Sequence, residues 1–157
     1  MADELNFRLA TADDLPAVLD LLVAAGIDER EDLELDGALA IWPLMQARGA
    51  ELLLMEQGEG PERQLLGTLT LYILPLLAHR QASEALVEDV AIAPEAQGRG
   101  LGRRLIQHAM QRASAAGCYK LVLSSNQRRV EAHAFYERLG FERHGFSFVV
   151  PLDATRG

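Results

Sequence analysis

The chain has 157 residues, the length of a single domain, and its hydrophobic content of 49% predicts a packed core rather than disorder. Its net charge of −8, from 15 basic and 23 acidic residues, argues against a nucleic-acid partner and mildly favours a cationic substrate, although ordinary cytosolic proteins are often acidic too. The single cysteine, Cys118, excludes an internal disulfide framework and favours a reducing, cytoplasmic compartment.

The hydrophobic pattern gives no sign of export or membrane insertion. Met1–Glu4 is acidic and is not followed by an apolar signal region, so we expect no leader peptide. No apolar run approaches the ~20 residues that a membrane-spanning helix needs. We therefore expect neither a membrane nor a nucleic acid among the partners.

Hydrophobic periodicity predicts strands and helices that alternate along one domain covering residues 1–157. Strands are predicted at residues 5–10, 50–57, 64–74, 84–93, 121–125 and 141–150. Helices are predicted behind an N-cap at Thr11, and at residues 37–48, 103–116 and 130–139. Pro43 is expected to kink or restart the second helix. This order predicts a mixed sheet with helices on its faces.

A glycine-rich segment, Gln97–Gly102, lies between a predicted strand and a predicted helix. Glycines let the backbone approach a ligand closely, and the first N–H groups of the helix have no internal partner. The helix dipole adds positive potential at the same place. The segment therefore predicts a pyrophosphate site, with a simple ligand-free turn as the alternative.

Two common phosphate-binding motifs do not fit this segment. A Walker loop requires a Gly-Lys pair, which the chain lacks. A dinucleotide fingerprint would place its third glycine at Arg103 or Leu105. The pattern that does fit is Gln/Arg-x-x-Gly-x-Gly/Ala, with Gln97, Gly100 and Gly102.

Together with Val87–Ile92 and Ala134–Phe141, the loop Gln97–Arg103 resembles the GCN5-related N-acetyltransferase (GNAT) family, whose members bind acetyl-CoA. Short matches within the family point to different substrates. Glu88-Asp89-Val90 and Gly117–Lys120 resemble glucosamine-phosphate acetyltransferases, whereas Ala132-His133 and His144–Phe148 resemble aminoalkylphosphonate acetyltransferases. The resemblance implies an α/β fold with a mostly antiparallel mixed sheet of about six to seven strands and about four flanking helices.

The resemblance also implies transfer of an acetyl group from acetyl-CoA to a primary amine within a ternary complex. Such a reaction needs a base for the ammonium, donors for the carbonyl oxygen and an acid for the departing thiolate. The family pattern places Tyr136 near the CoA sulfur as the acid, although Phe135 and Tyr136 could both be core aromatics. Acetyl-CoA would be held by Val90, Ala91, Ile92, Gln97, Gly98, Arg99, Gly100, Leu101, Gly102 and Arg103.

Glu88 and Asp89 are the candidates for the base and for the amine anchor. Neighbouring side chains of a regular strand point to opposite faces, so only one carboxylate could face the substrate unless a bulge redirects the other. We favour Glu88 as the base, acting directly or through water, and Asp89 as the anchor. An ion pair between this acidic pair and a core-facing arginine is the structural alternative.

Several further residues are weaker candidates. Many family members place an asparagine seven residues before the tyrosine, but Arg129 stands there and Asn126 is ten residues before, so Asn126 is carried over weakly as a CoA contact. His79 and Trp42 are candidates for substrate contact, with a core role equally open for Trp42. His133 could orient the phenol or pack. No metal site is expected, because no two histidines have metal-ligand spacing and the cysteine is single.

Two other functions stay open, and the assembly state is also predicted. The chain could bind acetyl-CoA as a sensor or partner module without turnover, or it could acetylate protein lysines or N-termini. The resemblance implies a homodimer, and the apolar Phe146–Val150 supports it, because an exposed strand edge invites pairing with a second copy. The alternative is that Phe146 and Phe148 are buried in their own core.

Overall fold

The computed structural model describes residues 4–152 and contains a mixed five-stranded sheet with three helices packed against it. The strands are β1 Leu5–Leu9, β2 Ala50–Gln57, β3 Gln64–Leu74, β4 Ser83–Ile92 and β5 Cys118–Leu123. They lie in this order in the sheet; the pairs β1–β2, β2–β3 and β3–β4 are antiparallel, and β4–β5 is parallel. The helices are α1 Leu15–Ala24, α2 Leu35–Ala47, α3 Leu101–Ala115 and α4 Val130–Arg138.

The predicted fold class is confirmed, with five strands rather than six to seven among the described residues. These residues form two compact units, one that ends at Leu123 and one that begins at Ser124. That the whole chain acts as one domain stays a prediction. None of the helices within residues 4–152 is long and apolar enough to cross a membrane.

The core of the first unit lies on both faces of the sheet. In β2 the four residues 52–55 are each at most 7% exposed, so this strand is covered on both sides. Strands buried on both faces have continuous apolar runs, as here, instead of alternating apolar and polar residues. One cluster of this core joins Leu15 and Val18 of α1 and Trp42 of α2 to Leu52 and Leu54 of β2.

An ionic network fixes the first strand against the second and against the start of α1. The guanidinium of Arg8 donates to both carboxylate oxygens of Asp14 at 2.7 and 2.8 Å, and to both of Glu56 at 2.7 and 3.0 Å. Asp14 in turn accepts the backbone N–H of Thr11 at 2.7 Å, which confirms the predicted cap. The hydrogen bonds to Arg8 lower the pKa of Asp14 to about 2.

Several helix and strand boundaries in the structure differ from the predicted ones. Helix α2 begins at Leu35 and continues through Pro43, so the expected restart is wrong, whereas a kink at Pro43 stays a prediction. Proline has no N–H to donate, and the carbonyl left without that donor belongs to Leu39, a residue 42% exposed. Strand β5 begins at Cys118, earlier than predicted, because Gly117 takes a positive φ of 78° and completes the turn out of α3.

In the second unit, α4 ends before Gly140, which takes a positive φ of 95° as the predicted cap. The predicted strand at residues 141–150 is wrong, because this segment has no regular structure and pairs with none of the described strands. Phe146 and Phe148 are 91% and 92% exposed, so the alternative in which they fill their own core is wrong as well. An alternating pattern gives a segment the propensity for a strand, but only a partner backbone makes it one.

Candidate functional site

Strand β4 contains a bulge at the acidic pair. Thr70 of β3 pairs with Glu88, whereas Thr68 pairs with Ala91, so one intervening residue of β3 faces two of β4. Asp89 takes a positive φ of 52°, a conformation that aspartate tolerates better than most residues. Strand β4 thus contains the bulge without which only one of the two carboxylates could face the substrate. Glu88 and Asp89 are both exposed, between the buried Val87 and Ala91.

The surroundings of the pair favour the protonated form of each carboxyl group. Partial burial, followed by the neighbouring charge of Asp89, raises the pKa of Glu88. Partial burial, followed by the charge of Asp28, raises the pKa of Asp89. Neither carboxylate forms an ion pair with a described arginine or lysine, so the structural alternative finds no support. A carboxylate with a raised pKa is a stronger base than an ordinary one.

Beyond the bulge, one side of β4 pairs with none of the strands found within residues 4–152. The recorded pairing of β5 with β4 ends at Val87, opposite Leu123, whereas β4 continues to Ile92 and remains paired with β3. The backbone of Val90, Ala91 and Ile92 therefore has donors and acceptors on its β5 side that no described strand uses. These backbone groups are the ones predicted to hydrogen-bond to the acetyl carbonyl and the pantetheine arm of acetyl-CoA.

The glycine loop leads from β4 into the 15-residue helix α3 and presents unpaired backbone donors. Gly98 and Gly100 take positive φ values of 76° and 73°, and a Cβ added at either would meet no atom within 4 Å. The first helical donor with a recorded backbone acceptor is Arg104, whose N–H lies 3.4 Å from the oxygen of Gly100. No backbone acceptor within residues 4–152 is recorded for the N–H groups of residues 98–103.

Side chains of the loop hold it in place and leave its backbone exposed. Leu101 is buried, and the Gln97 amide donates to the carbonyl of Ile92 at 3.4 Å. Arg99 donates to the side chain of Gln57 at 3.4 Å. Arg103, on the first turn of α3, is exposed. Free backbone donors at a helix N-terminus, with cations beside them, are suited to a pyrophosphate group.

Tyr136 lies on α4 in the second unit, with its ring in edge contact with Phe135 and Phe141 at centroid distances of 5.2 and 5.6 Å. Burial raises the pKa of its phenol, and the charge of Arg129 acts in the opposite direction. The net shift is upward, so the hydroxyl is protonated at neutral pH. This protonation state is the one that a proton donor needs.

Asn126 belongs to a tight turn before α4. Its side-chain oxygen accepts the N–H of Arg128 at 2.9 Å, and its carbonyl accepts the N–H of Arg129 at 2.9 Å. The same carbonyl lies 2.8 Å from Nε2 of His133. This contact of His133 was not foreseen, because no local pattern links the imidazole to a carbonyl seven residues earlier.

The two weaker substrate candidates lie in different surroundings. Trp42 is 7% exposed within the core cluster, as in the core alternative, and a substrate contact for it stays a prediction. His79 stacks on Tyr119 at 4.7 Å in a turn of three consecutive residues with positive φ, between β3 and β4. Five strand residues, roughly 17 Å, separate the start of β4 at Ser83 from Glu88, so the structure places His79 near the other end of this strand.

Comparison with known proteins agrees with this geometry. The model of the acetyltransferase (GNAT) family matches residues 16–141, which include the bulge, the loop and Tyr136. The chain belongs to the GNAT family.

A glucosamine 6-phosphate N-acetyltransferase of Trypanosoma brucei brucei is 33% identical over 84 residues, which cover 54% of this chain and 55% of that relative. An aminoalkylphosphonate N-acetyltransferase of Salmonella typhimurium is 32% identical over 66 residues, covering 42% of this chain and 43% of that relative. The chain thus matches about half the length of these relatives. The crystal structure of a Trypanosoma brucei acetyltransferase superposes with a TM-score of 0.81 at 27% identity, covering 95% of this chain and all of the other.

No group of three or more histidine, cysteine, aspartate or glutamate side chains within residues 4–152 could hold a metal ion.

Proposed function

We propose that the chain is an N-acetyltransferase that moves the acetyl group of acetyl-CoA to the primary amine of a small molecule in a ternary complex. The observation that supports it most is the continuity of β4 with the glycine loop. This one segment contains two exposed, unpaired carboxylates at the bulge and a run of free backbone donors only a few residues later.

In the proposed reaction Glu88 removes a proton from the substrate ammonium, directly or through one water, while Asp89 anchors the amine. The amine nitrogen then attacks the thioester carbonyl, the C–N bond forms, and backbone N–H groups of Val90 to Ile92 stabilise the resulting oxyanion. As the carbonyl re-forms, the C–S bond breaks and Tyr136 gives its proton to the departing CoA thiolate. The nitrogen releases its second proton to solvent, and Tyr136 regains one from solvent.

The loop Gln97–Arg103 would hold the pyrophosphate of CoA on its free N–H groups. Gly98 and Gly100 suit this role because the space above their Cα atoms is open. Asn126 is proposed as a second, weaker contact to CoA.

The names of the relatives suggest a substrate class for a first screen. A glucosamine phosphate and an aminoalkylphosphonate each combine an amine with an anionic phosphorus group. We therefore extend the proposal to small amines of this kind, with aminosugars, polyamines, amino acids and short peptides as further candidates. Protein lysine or N-terminal acetylation is an alternative that the peptides would reveal.

The test is release of free CoA thiol by purified protein with acetyl-CoA and each amine. Matched pairs isolate the anionic group: glucosamine against its 6-phosphate, and ethanolamine against 2-aminoethylphosphonate. Faster turnover of the phosphorus-containing member supports the extended proposal. Acetyl-CoA binding without turnover of any amine or peptide would instead indicate a sensor or partner module.

A homodimer in the cytoplasm completes the proposal. The exposed apolar segment 146–150 supports association with a second copy, and the partly exposed free thiol of Cys118 suits a reducing compartment.

A further inference from the structure

Ser125 carries the one buried side-chain polar atom, among residues 4–152, that lacks a hydrogen-bond partner. A hydroxyl shielded from water and left unpaired loses its hydration without compensation. Native proteins contain few such groups, and each calls for a physical explanation. Ser125 follows the last residue of β5 by two positions and precedes the turn that leads into α4.

Several other polar groups of this turn are engaged. The Asn126 side chain accepts the Arg128 N–H, and the Asn126 carbonyl accepts both the Arg129 N–H and Nε2 of His133. A carbonyl oxygen can only accept, so His133 must carry a proton on Nε2 in this arrangement. The turn is thus held at its centre by α4, through the hydrogen bond from His133 to the Asn126 carbonyl.

Asn126 is only partly engaged. Its side-chain oxygen serves the turn, whereas its exposed amide N–H groups have no recorded partner within residues 4–152 and suit the weaker contact to CoA already proposed. Ser125, one residue earlier, has an unused donor. The residue as a whole is partly exposed, and rotation about its single χ1 bond moves the hydroxyl to another staggered position.

We propose that Ser125 is a ligand-binding residue whose hydroxyl donates a hydrogen bond to an acceptor oxygen of acyl-CoA, and that His133 is a positioning residue that holds its turn. This inference rests on the proposed function. The cosubstrate is favoured over the amine because its pantetheine amides and phosphates supply many acceptor oxygens. The turn also immediately precedes the helix that carries Tyr136, the proposed donor to the CoA sulfur.

The first experiment compares two neighbouring serines by calorimetric titration with acetyl-CoA and by thermal unfolding without ligand. Ser125→Ala is expected to unfold at the same or a higher temperature than the wild type, because an unpaired buried hydroxyl contributes no stability. It is expected to bind acetyl-CoA about 3- to 10-fold more weakly, the typical range for one lost hydrogen bond. Ser124→Ala, at an exposed serine, should change neither quantity.

The second experiment tests the positioning role. His133→Leu removes the donor to the Asn126 carbonyl and should weaken acetyl-CoA binding, whereas His133→Gln retains an N–H donor and should restore much of it. Combining Ser125→Ala with His133→Leu should weaken binding no further than the more damaging single change, because both act through the same hydroxyl.

The possible failures can be told apart. If the wild type does not bind acetyl-CoA, the proposed function itself fails. If the wild type binds but Ser125→Ala binds equally well, or if only the KM of the amine rises, the inference about Ser125 is overturned. A large loss of unfolding temperature in Ser125→Ala would also overturn it, because the hydroxyl would then have a structural partner. A loss of stability in His133→Leu with unchanged affinity would overturn the positioning role.

Discussion

Asp89 combines a strained backbone with a charge beside the proposed base. Its positive φ is tolerated by asparagine as well as aspartate, so Asp89→Asn should preserve the bulge while it removes the charge. Because that charge raises the pKa of Glu88, its loss should lower this pKa. The base would then become deprotonated at lower pH.

The two carboxylates are therefore expected to give different pH profiles. Asp89→Asn should move the rise of kcat/KM to lower pH and raise the KM of the amine. Glu88→Gln should abolish the rise and slow turnover ~10²–10⁴-fold, the usual contribution of a general base. If Asp89→Asn abolishes the rise instead, the two roles are exchanged. A rise retained in both variants would mean that the amine binds already neutral and that the pair is structural.

Gly100 and Gly117 have nearly the same positive φ, 73° and 78°, and equally open surroundings. Alanine should cost roughly 1–2 kcal/mol of stability at either position, because a Cβ is strained in this conformation. Only Gly100→Ala should weaken acetyl-CoA binding, since its methyl group would project where the pyrophosphate is proposed to lie. Calorimetric titration of both variants with acetyl-CoA measures this difference. Equal affinities of the two variants for acetyl-CoA would mean that the pyrophosphate does not bind beside Gly100.

Tyr136 and Tyr119 form a second matched pair. Tyr136→Phe should reduce kcat by ~10²–10⁴-fold with little change in acetyl-CoA affinity, because only the proton for the thiolate is lost. Tyr119→Phe, whose ring stacks on His79, should leave kcat close to that of the wild type. Full turnover of Tyr136→Phe under conditions where chemistry limits the rate would assign Tyr136 to packing, beside Phe135.

At the scale of elements, the contact of Arg8 with Asp14 connects β1 to the start of α1 and makes stability depend on pH. The lowered pKa of Asp14 means that folding favours its ionised form. The stabilisation is therefore complete above the ordinary pKa of 3.8 and is lost as the pH falls towards 2. The shift corresponds to about 2 kcal/mol at neutral pH.

Asp14→Asn should lower the free energy of unfolding by this amount at pH 7, and the difference from wild type should shrink towards pH 2. Chemical denaturation at several pH values measures it. The control is Asp20→Asn, which breaks an exposed pair with Arg30 of similar length, 2.8 Å. Exposed pairs contribute little, so this control should change stability by less than about 1 kcal/mol. Equal losses in the two variants would contradict the special role of Asp14.

The elements differ in how far local sequence determined them. Strands β2 and β3 were predicted with their observed bounds, because apolar runs and the intervening turn residues define them locally. The acidic pair raised the possibility of a bulge, because only a bulge would let two adjacent carboxylates face the same side of a strand. The start of α3 at Leu101 was placed too late, since the positive φ of Gly100 lets the helix begin at the next residue. The contact of His133 with the Asn126 carbonyl and the unpaired hydroxyl of Ser125 could not be predicted, because both depend on side-chain geometry that hydrophobic periodicity does not contain.

At the scale of the whole molecule, the main departure from expectation is the missing strand at residues 141–150, whose apolar end lies in the exposed segment 146–152. Its propensity for a strand was visible in the sequence, but pairing requires a partner that local pattern does not specify. Five of its residues are 74–92% exposed: Phe146, Phe148, Val149, Val150 and Leu152. Two phenylalanines alone can bury ~300–500 Å². Together with the aliphatic side chains this approaches the ~800 Å² per partner of a standard interface.

We therefore expect light scattering to give a mass near twice 17.2 kDa. The double substitution of Phe146 and Phe148 by serine should yield the monomer, because the apolar surface that would join two copies is removed. Substituting the exposed Leu77 by serine, outside the segment, is the control and should leave the dimer intact. A wild-type mass of 17.2 kDa at every concentration would contradict the homodimer.

The order of the sheet also bears on how the protein forms during synthesis. Strands β2, β3 and β4 each pair antiparallel with the strand that precedes them in the chain, so a nascent polypeptide can add them one by one as they leave the ribosome. Only β5 must wait for a crossover through α3. The acidic strand could thus fold before the helix behind the glycine loop has been made, and the proposed phosphate site would form only after the proposed base is already in place.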